Sequence, residues 1–244
     1  MIETTILKVE HGEYEYKKLL PFIQEAHCFS PEQASLTERQ AQEFERSWEI
    51  DLNRDVSRTS ALRALENGFG HIEQGQRTFV IGTFDYLSRN RVPLWFFERF
   101  SEKESKFLNE EIEKCNHLET SALQSLRNGH IDPFLEKYKS SFKTFYGTFP
   151  IRDEHIGRNI DRAEDDIRQR YPKINVDPIK FTTFVGYSHS PEKYTSVPVI
   201  VEDLTGNNLQ GYRGLIARAI VAGKAYEEMH REMLMLGIQA LRSS

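Results

Sequence analysis

The chain has 244 residues, 39% hydrophobic and 28% charged, enough apolar content for a buried core beneath a polar surface. A net charge of -5 with scattered Lys and Arg gives no general attraction to nucleic acid or anionic lipid. No apolar run approaches the roughly 20 residues that cross a bilayer, and the start, Met1-Ile2-Glu3-Thr4-Thr5, has no basic or apolar leader pattern. Cys28 and Cys115, the two cysteines, lack metal-type spacing and predict a reducing, cytoplasmic setting.

Residues 4–10 read as a short strand and 13–24 as a helix, with Tyr16, Leu19, Leu20 and Ile23 at helical spacing. Residues 26–30 read as a second short strand ending near Glu32. Thr37-Glu38-Arg39-Gln40 has capping-box form and opens a charged helix to about residue 52. Residues 59–90 are helical in pattern, interrupted by glycines 68, 70 and 75. Residues 92–97, Val-Pro-Leu-Trp-Phe-Phe, form a near-continuous apolar run ending at Glu98. Such runs suit strands buried on both faces, with Pro93 tolerated near a strand start.

Ser101-Glu102-Lys103-Glu104 opens another helix, carrying Phe107, Leu108 and Ile112. Gly129 ends that region, and Asp132-Pro133 opens the next helix with proline at its first position. The clearest amphipathic helix covers 152–171, with Ile156, Ile160, Ala163 and Ile167 on one stripe and Pro172 as its stop. Residues 180–189 read as a strand that delivers His189 to its end. Residues 197–201 read as one more strand, 206–208 as a turn and 212–241 as a last helix. With no repeat, low-complexity segment or clear linker, the expectation is one helix-rich α/β domain over 1–244: a small, mostly parallel sheet with large helical insertions.

Walker, G-x-G-x-x-G, H-E-x-x-H, G-x-S-x-G and C-x-x-C patterns are all missing, which removes the simplest nucleotide, zincin, serine-hydrolase and redox readings. Dispersed chemistry remains. Strand ends carry Glu10-His11, Glu32, Glu98 and His189. In parallel sheets these ends share one edge, where ligands bind. Imidazoles beside carboxylates suit a general base or a divalent metal site. Arg152 lies four residues before Ile156, on the apolar stripe, so its guanidinium needs an anionic partner such as Glu98 or a substrate anion. Each residue also has a plain structural reading: His189 bonded to a loop, Glu98-Arg99 opening a solvated loop, Ser30-Pro31-Glu32 as a turn, Asp153 as a helix N-terminal charge. His117, four residues after Glu113, and the methionines at 229, 233 and 235 read as a solvated face and a packing surface.

In this order the motifs resemble the Tiki/TraB superfamily, which includes erythromycin esterase-like and ChaN-like proteins. Gly186-Tyr187-Ser188-His189 matches its late Gly-x-x-His, and Arg152-Asp153 with Ile156-Gly157-Arg158-Asn159-Ile160 matches its Arg-Asp helix start. Residues 92–98 followed by Ser101-Glu102-Lys103-Glu104 resemble the third-strand element, and Leu126-Arg127-Asn128-Gly129-His130 the turn before the Arg-Asp helix. Lys8-Val9-Glu10-His11 stands where the family has Gly-x-x-His.

The resemblance implies a hydrolase acting on an ester or amide, with a small-molecule or peptide substrate, working either with a divalent metal as cofactor or with a histidine base. It implies His11, Glu98, Arg152 and His189 as catalytic residues, and His11, Glu32, Glu98 and His189 as metal ligands. Homo-oligomers fit this reading; nucleic-acid and membrane partners do not. Two alternatives belong to other classes: a catalytically idle α/β scaffold that binds a small molecule or a protein, and an all-helical interaction protein.

Overall fold

The structure, a computed structural model, describes residues 1–9, 13–32, 36–53, 74–186 and 189–205. The elements in chain order are β1 Ile2–Val9, α1 Glu13–Glu25, β2 Cys28–Ser30, α2 Glu38–Asn53, α3 Gln74–Arg89, α4 Glu102–Arg127, α5 Ile131–Gly147, α6 Phe149–Arg170, β3 Ile179–Gly186 and β4 Val199–Asp203. The expected turn at 206–208, the last helix and its methionines lie outside the described residues, as does most of the first half of the 59–90 pattern.

Strands β1, β2 and β3 distribute their side chains between two covered faces, whereas β4 is largely exposed. Leu7 and Val9, Phe29 and Phe184 turn to one face, where they pack with Leu19 and Ile23 of α1, Ala41 and Trp48 of α2, and Phe79, Phe84 and Leu87 of α3. Ile6, Cys28, Ile179, Phe181 and Val185 turn to the other face and meet Ile156, Ile160, Ala163 and Ile167 of α6. The predicted stripe of α6 is therefore its sheet-facing surface. Helices on both sides suit strands joined in parallel, and every pairing is parallel in the order β2-β3-β1-β4. This excludes the all-helical alternative and bears out the α/β fold with a small parallel sheet.

Several local expectations hold. Gln40 N–H donates to Thr37 Oγ1 at 3.2 Å and Thr37 N–H to Gln40 Oε1 at 2.9 Å, the reciprocal bonds of a capping box. Gly129 follows α4 with φ +77°, a conformation that glycine adopts without steric penalty. Pro133 differs from expectation: it is the third residue of α5. It is tolerated there because the first turn's N–H groups have no intrahelical partner.

The run at 92–97 is extended but is not a full strand. Its ladder with β2 closes around one residue: Phe29 N–H donates to the Pro93 carbonyl and Trp95 N–H to the Phe29 carbonyl, both at 3.0 Å. β2 is three residues long, so it has no further rungs to offer. Side chains take over, as buried backbone groups require. Phe96 N–H donates to Glu45 Oε1 at 2.8 Å and Phe97 N–H to Ser30 Oγ at 3.0 Å. Trp48 Nε1 donates to the Val92 carbonyl, Tyr171 Oη to that of Leu94 and Asn159 Nδ2 to that of Phe97.

Glu98-Arg99 does not open a solvated loop; both residues are buried. Arg99 lies 4.7 Å from the Trp95 ring centre and donates to Glu45 Oε1 at 2.5 Å, Glu38 Oε1 at 2.8 Å and the Phe96 carbonyl. Thus the polar-looking α2 buries Glu45 to hold this segment. Burial pushes the Glu45 carboxyl above its ordinary range, against the pull of Arg99.

The chain divides into two compact parts, 1–102 with 152–205 and 103–151 with 206–244. The sheet lies in the first. In the second, α4 and α5 meet through Cys115 Sγ and Ser141 Oγ at 3.1 Å and a Lys137 Nζ donation to Ser125 Oγ at 3.0 Å.

Candidate functional site

Parallel strands end on one edge of the sheet, and this edge gathers the predicted residues. β2 ends at Ser30, and Glu32 follows two residues later. The extended segment ends at Phe97, and Glu98 follows at once. β3 ends at Gly186, and its chain turns back through a His189 N–H bond of 2.9 Å to the Gly186 carbonyl. Arg152 and Asp153 come from the early turns of α6. β1 also reaches this edge, with Val9 opposite Gly186. His11, just beyond it, lies outside the described residues.

Arg152 is the hub. Its Nε donates to Glu98 Oε1 at 2.8 Å, and its Nη2 lies 2.7 Å from the same oxygen and 2.9 Å from Glu32 Oε1. Glu32 turns its other oxygen, Oε2, to the Gly186 N–H at 2.6 Å. One guanidinium therefore serves two carboxylates. Glu98 is fully buried and Arg152 5% exposed, whereas the Glu32 side chain keeps 14%. Burial raises the Glu98 carboxyl above its ordinary range; Arg152 opposes the shift and Glu32 adds to it. Burial works against the Arg152 charge, but the two carboxylates outweigh it and raise its pKa.

His189 is held at one ring nitrogen. Nδ1 lies 2.6 Å from Asp153 Oδ1, and Asp153 Oδ2 accepts the Ser190 N–H at 2.9 Å. A carboxylate only accepts, so the ring hydrogen sits on Nδ1. Nε2 faces Glu32, 3.4 Å from Oε1. Glu32 thereby links the arginine cluster to the histidine and is the most solvent-reached member.

Four of the predicted residues, Glu32, Glu98, Arg152 and His189, thus stand together. Asp153 was read as a helix charge and is instead the partner of His189. Asp153, Gly157 and Asp161 are spaced four apart on one helix face beside the apolar stripe, but in sequence such residues look solvent-facing. Glu113 and His117 are exposed on α4, as a solvated face requires.

The described donors fit a divalent metal poorly. Glu98 and Glu32 both turn Oε1 to Arg152, and Glu32 Oε2 takes a backbone N–H; the Asp153 bond to His189 Nδ1 is itself compatible with ligation through Nε2. A cation between the carboxylates would meet the guanidinium at close range. Among the described residues no three His, Cys, Asp or Glu side chains are grouped as metal ligands are. Comparison with family models, curated proteins and solved structures finds no match.

Proposed function

We propose that the chain is a hydrolase of neutral esters or amides, of the kind its Tiki/TraB-like motifs imply, working through His189 without a metal. The supporting observation is the convergence of Glu32, Glu98, Arg152, Asp153 and His189 at the carboxyl edge of a parallel sheet. Three carboxylates and one guanidinium stand there, an excess of negative charge that disfavours an anionic substrate and suits an uncharged carbonyl. Arg152 is committed to Glu98 and Glu32, so its part is to keep those carboxylates in place. His11 belongs to the proposal as a second histidine by its place in the sequence, two residues after β1 ends.

The reacting water hydrogen-bonds to His189 Nε2 and Glu32 Oε1 from beside the pair, whose atoms stand 3.4 Å apart. Its oxygen bonds to the carbonyl carbon as its proton passes to Nε2. The imidazolium then stands against Asp153. As the carbon–leaving group bond breaks, that proton goes to the departing alkoxide or amine. The acid product and the alcohol or amine leave, and the ring is neutral again. General-base help of this kind contributes roughly 10²–10⁴-fold.

A panel of p-nitrophenyl esters, lactones and short peptides, run with metal-chelated protein, tests this reading. We expect turnover by the wild type that His189→Ala lowers by about 10²–10⁴-fold, with Asp153→Asn also impaired and the fold retained. A wild type inert across the panel, or turnover indifferent to His189, would leave the idle scaffold ahead. One observation favours that second reading: Glu98, Arg152, Asp153 and His189 are all at most 5% exposed, as in a structural ion network.

A further inference from the structure

Beyond His189 the chain runs through residues 189–197 before β4 begins, with a single short 3-10 turn at Pro191–Lys193. Little regular structure fixes this segment, yet it carries the histidine. Its conformation comes from one face of α6, where Asp153, Gly157 and Asp161 stand at i, i+4 and i+8. Asp153 takes the His189 ring and the Ser190 N–H. Four residues on, the backbone of Tyr194 presses against Gly157: a Cβ there would lie 2.7 Å from the Tyr194 carbonyl carbon and 2.9 Å from its oxygen. Four further on, Asp161 gathers the end of the segment. Its Oδ1 accepts the Ser196 N–H at 2.7 Å, the Val197 N–H at 3.2 Å and the Thr195 hydroxyl at 2.5 Å, and its Oδ2 accepts the Ser196 hydroxyl at 2.8 Å.

We propose that Gly157 and Asp161 are positioning residues of His189, forming with Asp153 a seam that fixes the histidine segment along α6. The close approach at Gly157 sets the depth of the segment on the helix, and Asp161 sets its run along the helix. Together they determine where the backbone of residue 189 lies, and hence whether Nδ1 meets Asp153 and Nε2 faces Glu32. Lys8 Nζ, 3.1 Å from Glu192 Oε1, ties the same segment to β1 without reaching the histidine end. The inference rests on the reading of His189 as the reacting base, but its test does not need turnover.

The test is nitrogen NMR of the full chain with labelled histidine, the His189 signals identified by their loss in His189→Gln. In the wild type we expect the hydrogen fixed on Nδ1. Asp153→Asn should shift both ring nitrogens. Asp161→Ala and Gly157→Ala should shift them too, toward a mixture of tautomers, although neither residue touches the ring. Where turnover exists, kcat should fall by up to about 100-fold, the scale of a displaced catalytic group. Should Gly157→Ala fail to fold, Asp161→Ala decides. Wild-type His189 signals in Asp161→Ala, beside shifted ones in Asp153→Asn, would overturn the seam. A wild-type ring already mixed between tautomers would overturn it as well. An inert wild type with a fixed Nδ1–H ring would instead refute the hydrolase reading and leave the seam standing.

Discussion

Arg152 compensates a fully buried carboxylate, Glu98, and a nearly buried one, Glu32. Removing one member of such a group leaves charge stranded in low dielectric. Arg152→Ala should therefore destabilise the fold by about 3–5 kcal/mol, read by urea denaturation. Combining it with Glu98→Gln should restore part of that loss, because the stranded charge is gone. Equal losses in the single and double variants would mean that Arg152 acts by packing alone. The need of Arg152 for an acid was legible from its place on an apolar stripe. Glu98 was one of the partners foreseen, but the sharing of the guanidinium with Glu32 was not, because sequence spacing shows which face a side chain occupies but not what lies opposite.

At the scale of elements, α6 does two jobs on adjacent faces. Its aliphatic stripe covers the sheet, and the neighbouring line of Asp153, Gly157 and Asp161 holds the histidine segment. The stripe was legible as a period of 3.6; the seam was not, since two aspartates and a glycine on a charged helix look like solvent-facing residues. Ile160 is fully buried at the centre of the stripe, so Ile160→Ala should cost about 2–5 kcal/mol. Thermal or chemical unfolding checks it, and a loss well under 1 kcal/mol would contradict the packing described. The segment at 92–97 marks the limit of pattern reading. Its apolar run promised a strand, but a ladder needs a neighbour, and the three residues of β2 provide one rung. The side chains of Glu45, Ser30 and Asn159 completed it.

For the whole molecule, the balance of carboxylates sets the response to acid. Glu38 and Asp161 are held below the ordinary carboxylate range. For each, partial burial works the other way, but Arg99 and its hydrogen bond outweigh it at Glu38, and the bonds from Thr195, Ser196 and Val197 at Asp161. A lowered folded-state pKa gives stability that is present above the unfolded value, about 4, and is lost as pH falls through the folded value. Glu45 and Glu98 have the opposite sign: their raised values favour the folded state at low pH, and that gain is lost as pH rises. Unfolding midpoints measured from about pH 2 to 8 should fall on the acid side below about pH 4. Asp161→Asn should flatten that limb, whereas parallel curves would show that Asp161 is not held as described.

The sequence by itself determined the short apolar strands near 4–10, 26–30 and 180–189, the buried stripe of α6, the capping box at Thr37 and the delivery of His189 to a strand end. Each follows from local periodicity or local hydrogen bonding. Tertiary structure alone decided the strand order β2-β3-β1-β4, the burial of Glu45 with Arg99, the sharing of Arg152 between Glu98 and Glu32, and the pairing of Asp153 with His189. Parallel strands pair across long stretches of chain, and a buried charge takes whichever partner the packing brings within reach. Neither choice is written into the spacing of neighbouring residues.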